Sequence, residues 1–131
     1  MTDLYLLDKS ALARAARQPT VRTALERLDD TGVLAATAVI DLGIGYSSRN
    51  LTEFDSVAAD RAALYQELPL TRAVTDRARH VQRELVCSGQ HSGHGVSDLL
   101  IAATAEVYGA IVVHYDTAQP VKWIVPSGSV P

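Results

Sequence analysis

Residues 96–116, reading VSDLLIAATAEVYGAIVVHYD, constrain the fold of this chain more than any other stretch. The run Leu99, Leu100, Ile101, Ala102, Ala103 suits the core side of a helix, Gly109 closes that helix, and residues 110–114 suit a buried strand. An acid stands near each end, Asp98 in the first helical turn and Asp116 just past the strand. Rigid elements therefore set the positions of two carboxylates, and a third acid brought alongside by another strand would make a divalent-metal site.

The start of the chain offers that acid. The apolar run 4–7 has strand length and stops at Asp8, and residues 10–17 read as an Ala-rich helix whose last turns carry Arg14 and Arg17, favourable for the helix dipole. Asp8 is thereby expected at the carboxyl end of a strand, where open α/β sheets place their ligands. Thr20 or a polar neighbour caps a second helix running to Asp30, with Val21, Leu25 and Leu28 on one face and Gly32 at its end. A short strand over 33–36 and a helix over 38–48 follow. Two long helical patterns, 52–67 and 71–86, are split by Leu68-Pro69-Leu70 and read as an antiparallel pair. Their apolar sides carry Phe54, Val57, Ala58 and Leu64 in the first, and Val74, Ala78, Val81 and Leu85 in the second. The segment 88–95, SGQHSGHG, reads as a loop, 121–125 as a last strand containing Trp123, and 126–131 as a surface tail.

Strands alternating with helices predict an α/β fold with a mainly parallel sheet, and 131 residues with 47% hydrophobic content suit one domain over 1–131. The end of the chain strains that assignment. A parallel crossover needs about a dozen residues or more, yet only residues 115–120 join the last two predicted strands. Either the last strand is antiparallel or a segment is missing.

Composition removes several classes of function. Cys87 is the only cysteine, so no internal disulfide framework exists and a reducing, cytoplasmic setting is expected. The N-terminal apolar run is too short for a signal peptide, and no stretch approaches the ~20 apolar residues of a membrane span. A net charge of −3 gives no general attraction to nucleic acid, so RNA or DNA chemistry would need local basic residues or a bound metal. No glycine-rich loop follows the first strand, against a P-loop or dinucleotide fold.

Taken singly, Asp98 reads as a helix N-terminal residue complementing the dipole and Asp116 as a turn residue. Three acids converging on one sheet edge shift the reading toward a cluster of hard oxygen ligands suited to Mg²⁺ or Mn²⁺. The residues also resemble a known family, the PIN-domain ribonucleases, and within it the VapC-type toxins of bacterial toxin–antitoxin pairs. YLLDKSALAR resembles that family's first strand with its acid followed by a hydroxyl residue, SDLLIAATAEVYGAIVVHYD its third and fourth acidic motifs, and QPVKWIVPSGS the toxin subgroup's ending. The resemblance covers nearly the whole chain. It implies a PIN-like three-layer domain and a Mg²⁺- or Mn²⁺-dependent endoribonuclease acting on structured RNA such as tRNA or rRNA. Asp8, Asp98 and Asp116 would then be catalytic and metal-binding, with Ser10 supporting Asp8. An antitoxin partner and a homodimer are implied as well.

Two departures from the family pattern stand out. Its second acid is usually a glutamate in a pattern like D-L-E-x-x-Y-S-x-R, whereas this chain reads Asp41-Leu42-Gly43-Ile44-Gly45-Tyr46-Ser47-Ser48-Arg49, with Gly43 at the acidic position. Asp41 is no obvious replacement, because two residues along a helix rotate a side chain by roughly 200°. Glycine inside a helix also costs about 1 kcal/mol relative to alanine. Gly43 is therefore expected to weaken catalysis. The second departure is the direct run from Tyr115 to Pro120, where toxin members generally carry a further segment with another acid and an aromatic; the crossover rule and the family pattern together point to a missing segment there.

Other candidates carry less. His91 and His94 lack a cysteine or third histidine, so a solvated loop outweighs a zinc site, and Cys87 reads as packing. Lys9 and Arg49 divide evenly between phosphate contacts and solvated surface, while Arg14 and Arg17 read as surface. Tyr46, Phe54, Leu64 and Tyr65 exceed what one small face must bury, consistent with association. Two rival functions stay open beside the nuclease. One is a non-catalytic PIN-like module binding RNA or protein; the other is a phosphotransfer domain using Asp8, disfavoured because Asp8-Lys9-Ser10 lacks a second aspartate.

Overall fold

The computed structural model describes residues 3–90, 92 and 95–115, and the backbone of 122–124. In chain order these form β1 (Asp3–Leu7), α1 (Lys9–Ala15), α2 (Pro19–Thr31), β2 (Gly32–Ala36), α3 (Ala38–Gly45), α4 (Leu51–Leu64), β3 (Gln66–Glu67), α5 (Arg72–Cys87), α6 (Val96–Tyr108), β4 (Ala110–His114) and β5 (Lys122–Ile124). The strands make one sheet in the order β3-β2-β1-β4-β5, with the first four parallel and β5 antiparallel to β4. Of the two alternatives at the end of the chain, the antiparallel one holds. Antiparallel neighbours need no crossover, so the short connection suffices.

Successive residues of β1 feed opposite faces of the sheet. Leu6 joins Ala35, Ile40, Leu68, Ile101 and Val112 under α3 and α6, whereas Tyr5 and Leu7 join Val21, Leu25, Leu28 and Val113 under α1 and α2. The result is a three-layer α/β domain with α5 outside α6. β1 and β4 are covered on both faces, which explains why both sequences are nearly continuous apolar runs. Gly109 takes the left-handed conformation (φ 68°, ψ 31°) that closes α6 and lets β4 begin at the next residue.

Four expectations are corrected. The helix expected over 52–67 ends at Leu64, because Tyr65 turns extended and Gln66 and Glu67 pair with Ala35 and Ala36 at the sheet edge. The Leu68 amide then donates to the Ala36 carbonyl at 2.7 Å and its side chain enters the core. The long helices do not pair with each other. Val74 and Ala78 of α5 pack on Ala103 of α6, and Arg77 Nε lies 2.9 Å from Glu106 Oε2. The cap of α2 is Gln18, without a side-chain bond, followed by Pro19. Finally, α3 stops at Gly45 and unwinds through tighter turns to Ser48. No helix among the described residues is long and apolar enough to cross a membrane.

Candidate active site at the carboxyl edge of the sheet

Asp8 leaves β1 at its carboxyl end and becomes the N-cap of α1, accepting from the Lys9 amide at 2.8 Å through Oδ1. Its Oδ2 accepts from Ser10 Oγ at 3.2 Å, and Ser10 Oγ in turn accepts from the Tyr115 amide at 3.0 Å. The Asp8 amide donates to the Val113 carbonyl at 2.8 Å. One hydroxyl thus ties the first acid to the backbone just past β4. Ser10 thus holds the Asp8 carboxylate and the strand end together.

Asp98 lies in the first turn of α6, exposed, and accepts from the Gly95 amide at 3.4 Å. Because α6 turns back into β4 through a single glycine, its N-terminus lies toward the carboxyl ends of β4 and β1. Thirteen helical residues span ~20 Å against ~17 Å for a five-residue strand, so the two ends come level. Asp8 and Asp98 therefore belong to the same sheet edge. Asp116 and the histidines His91 and His94 lie outside the described residues, as do residues 116–121 and the tail. Among the described residues no three of His, Cys, Asp or Glu are grouped as a metal site.

Gly43, where the resemblance expects an acid, lies beside Lys9, the residue that follows Asp8. A Cβ built on Gly43 meets Lys9 Cδ at 3.9 Å, ordinary contact with room for a side chain beyond, and Lys9 Nζ donates to the Gly43 carbonyl at 3.0 Å. Asp41 does not fill the gap. It pairs at 2.5 Å with Arg61 Nε, whose guanidinium stacks over Tyr65 at 4.6 Å. Burial pushes the Tyr65 hydroxyl pKa up, opposed by Arg61 beside it, with Asp29 adding to the rise. Arg49 is also committed elsewhere, 2.9 Å from Glu53 at the start of α4.

Sequence reasoning missed two features. Arg14, read as plain surface, stacks on the Tyr115 ring at 4.4 Å; its spacing of four from Ser10 on α1 was the available signal. Between α3 and α4 an apolar cleft of about 770 Å³ is lined by Leu42, Tyr46, Phe54, Val57, Arg61 and Tyr65. The apolar side of α4 is turned outward, with Phe54 and Leu64 exposed and Arg61 as that helix's buried residue.

The sequence matches the PIN domain family over residues 5–122. The chain belongs to the PIN-domain family. It is 40% identical to "Ribonuclease VapC51" of Mycobacterium tuberculosis over 135 positions, covering 96% of each chain. It is 38% identical to "Ribonuclease VapC21" of the same species over 138 positions, covering 98% of this chain and 99% of that one. In fold it is similar to VapBC2 from Rickettsia felis bound to a DNA fragment from their promoter, with a TM-score of 0.73 at 19% identity over 86% of this chain and 87% of that chain. VapBC-1 from nontypeable Haemophilus influenzae is similar too, with a TM-score of 0.73 at 15% identity over 88% and 89%. At 96% of 131 residues this PIN-domain chain fills about 126 of the 135 positions shared with VapC51, leaving about nine without a counterpart.

Proposed function

We propose that this PIN-domain protein is a VapC-type ribonuclease toxin whose site is the carboxyl edge of the sheet, weakened by Gly43 and restrained by a cognate antitoxin. The observation that carries the reading is Asp8, preset by Lys9 N and Ser10 Oγ on the edge that also receives the first turn of α6. Asp8, Asp98 and Asp116 are the residues that would hold Mg²⁺ or Mn²⁺. Hard oxygen donors of this kind fit such ions, which take one or two carboxylates and keep several waters. When bound, the ion supplies charge neutralisation on a phosphodiester and a water of lowered pKa. The chain's own residues hold the carboxylates. Ser10 orients Asp8, and its bond to Tyr115 N fixes the backbone just past β4.

Structured RNA is the proposed substrate, and the relatives named as ribonucleases support it. The apolar cleft between α3 and α4 is the surface proposed for the antitoxin. Leu42 is 70% and Tyr46 93% exposed there, with the paired Arg61 and Asp41 in its lining for polar anchoring. Solved toxin–antitoxin complexes of the same fold support a partner protein. The proposal includes a homodimer and a cytoplasmic location.

Cleavage of structured RNA in Mg²⁺ or Mn²⁺ tests the nuclease. The expected result is slow cleavage by the natural chain, abolished by EDTA and by Asp8→Asn, and raised at least tenfold by Gly43→Glu. Cleavage indifferent to EDTA and to Asp8→Asn contradicts the site. The space at Gly43 and the commitment of Asp41 to Arg61 favour a second reading, a non-catalytic module retaining RNA or partner contacts. That reading gains if neither the natural chain nor Gly43→Glu cleaves RNA while RNA is still bound.

A further inference from the structure

Next to Asp8, through the shared residue Ser10, lies a small pocket of about 290 Å³ lined by Ser10, Ala13, Arg14, Arg17 and Tyr115. We infer that this pocket holds a backbone phosphate of the RNA strand next to the one that is cut, with Arg14 and Arg17 as its ligands and Tyr115 as the platform that aims Arg14. The inference rests on the proposed nuclease reading of the Asp8 edge and names where that site grips its substrate.

Three observations carry it. The first is charge segregation. Residues 9–25 contain Lys9, Arg14, Arg17 and Arg22 and no acid, in a chain whose net charge is −3. A phosphodiester strand approaching this acidic protein meets its favourable potential along α1 and the start of α2. The second is the state of the two arginines. Neither Arg14 nor Arg17 has an ion-pair partner among the described residues, a state shared with Arg22, Arg27 and Arg83 outside the pocket, whereas Arg49, Arg61, Arg72, Arg77 and Arg79 are paired. The third is orientation. The Arg14 guanidinium lies 4.4 Å from the centroid of the half-buried Tyr115 ring. Stacking uses the face of the guanidinium and leaves its N–H edge for the bidentate geometry that phosphate accepts.

Position completes the argument. Ser10 Oγ lines the pocket and also donates to Asp8, so pocket and carboxylate share one side chain. A strand lying across the carboxyl edge of the sheet passes the acids and the arginines in succession. An acidic protein segment could satisfy the same charges, but contact with Ser10 favours the strand that must also reach Asp8.

Binding of a fluorescein-labelled single-stranded RNA oligonucleotide to the full chain in EDTA, followed by anisotropy across a salt series, tests the pocket without requiring cleavage. Arg17→Gln, at an exposed position, is expected to weaken binding about three- to tenfold. It should also flatten the slope of log affinity against log salt by about 0.7, the value of one phosphate contact on a single strand. Arg14→Lys should weaken binding as well, because lysine keeps the charge but not the stacked fork. Arg83→Gln removes the same charge on the exposed side of α5, outside the pocket and the basic stretch, and is expected to leave both quantities near natural values. The proposal is overturned if Arg17→Gln and Arg14→Lys bind as the natural chain does, or if Arg83→Gln weakens binding equally. It is also overturned if the pocket variants lose an acidic partner protein while keeping RNA. Pocket-dependent binding without metal-dependent cleavage would keep the pocket as an RNA-phosphate site and defeat the nuclease reading, and with it the placement of that phosphate beside a cut.

Discussion

Ser10 joins parts of the molecule that are far apart in sequence, with one oxygen donating to Asp8 and accepting from the Tyr115 amide. Ser10→Ala removes both bonds and leaves a part-buried amide without this partner. We expect a loss of about 1–2 kcal/mol in chemical denaturation, together with slower RNA cleavage at unchanged metal concentration. A variant as stable as the natural chain would show that the bridge carries nothing. Gly43 was legible as a departure because its neighbours, Asp41-Leu42 before it and Tyr46-Ser47 after it, kept the family pattern. What sequence could not show was that Lys9 reaches the Gly43 carbonyl, a contact between residues 34 apart. Arg14 was misjudged for the same reason: its partner, Tyr115, arrives from the other end of the chain.

At the scale of elements, α6, Gly109 and β4 were readable because each signal was local: an apolar helix, a left-handed glycine and a buried strand. β3 was not readable. Gln66 and Glu67 are polar and exposed, and they form a strand only because β2 presents an open edge beside them. The outward face of α4 was likewise hidden, since helical periodicity names an apolar side without naming what covers it. Pairing of β1 with β2 depends on a close approach at Gly32, where a Cβ would stand 2.5 Å from both the Asp3 carbonyl oxygen and Tyr5 Cε2. The ring can move, but the backbone carbonyl cannot move without disturbing the ladder. Gly32→Ala is therefore expected to cost about 1–3 kcal/mol and to lower the thermal midpoint. An unchanged midpoint would contradict the register assigned to β1 and β2.

At the scale of the whole molecule, a parallel sheet gathers what the sequence scatters. Asp8 lies near the start of the chain and Asp98 near its end, and they share an edge because β1 and β4 are parallel neighbours and α6 folds back along β4. The fold class was legible from alternating strands and helices, and the direction of β5 was legible as one of two alternatives forced by a short connection. The central proposal is that this edge would bind a divalent ion through Asp8 and Asp98. Titration of Mn²⁺ into the metal-free chain, followed by calorimetry or by water-proton relaxation, tests it most directly. The account predicts saturable binding that is weakened at least tenfold by Asp8→Asn and by Asp98→Asn, and strengthened by Gly43→Glu. Saturable binding left unchanged by both asparagine variants, or no binding by the natural chain and by Gly43→Glu alike, would contradict it.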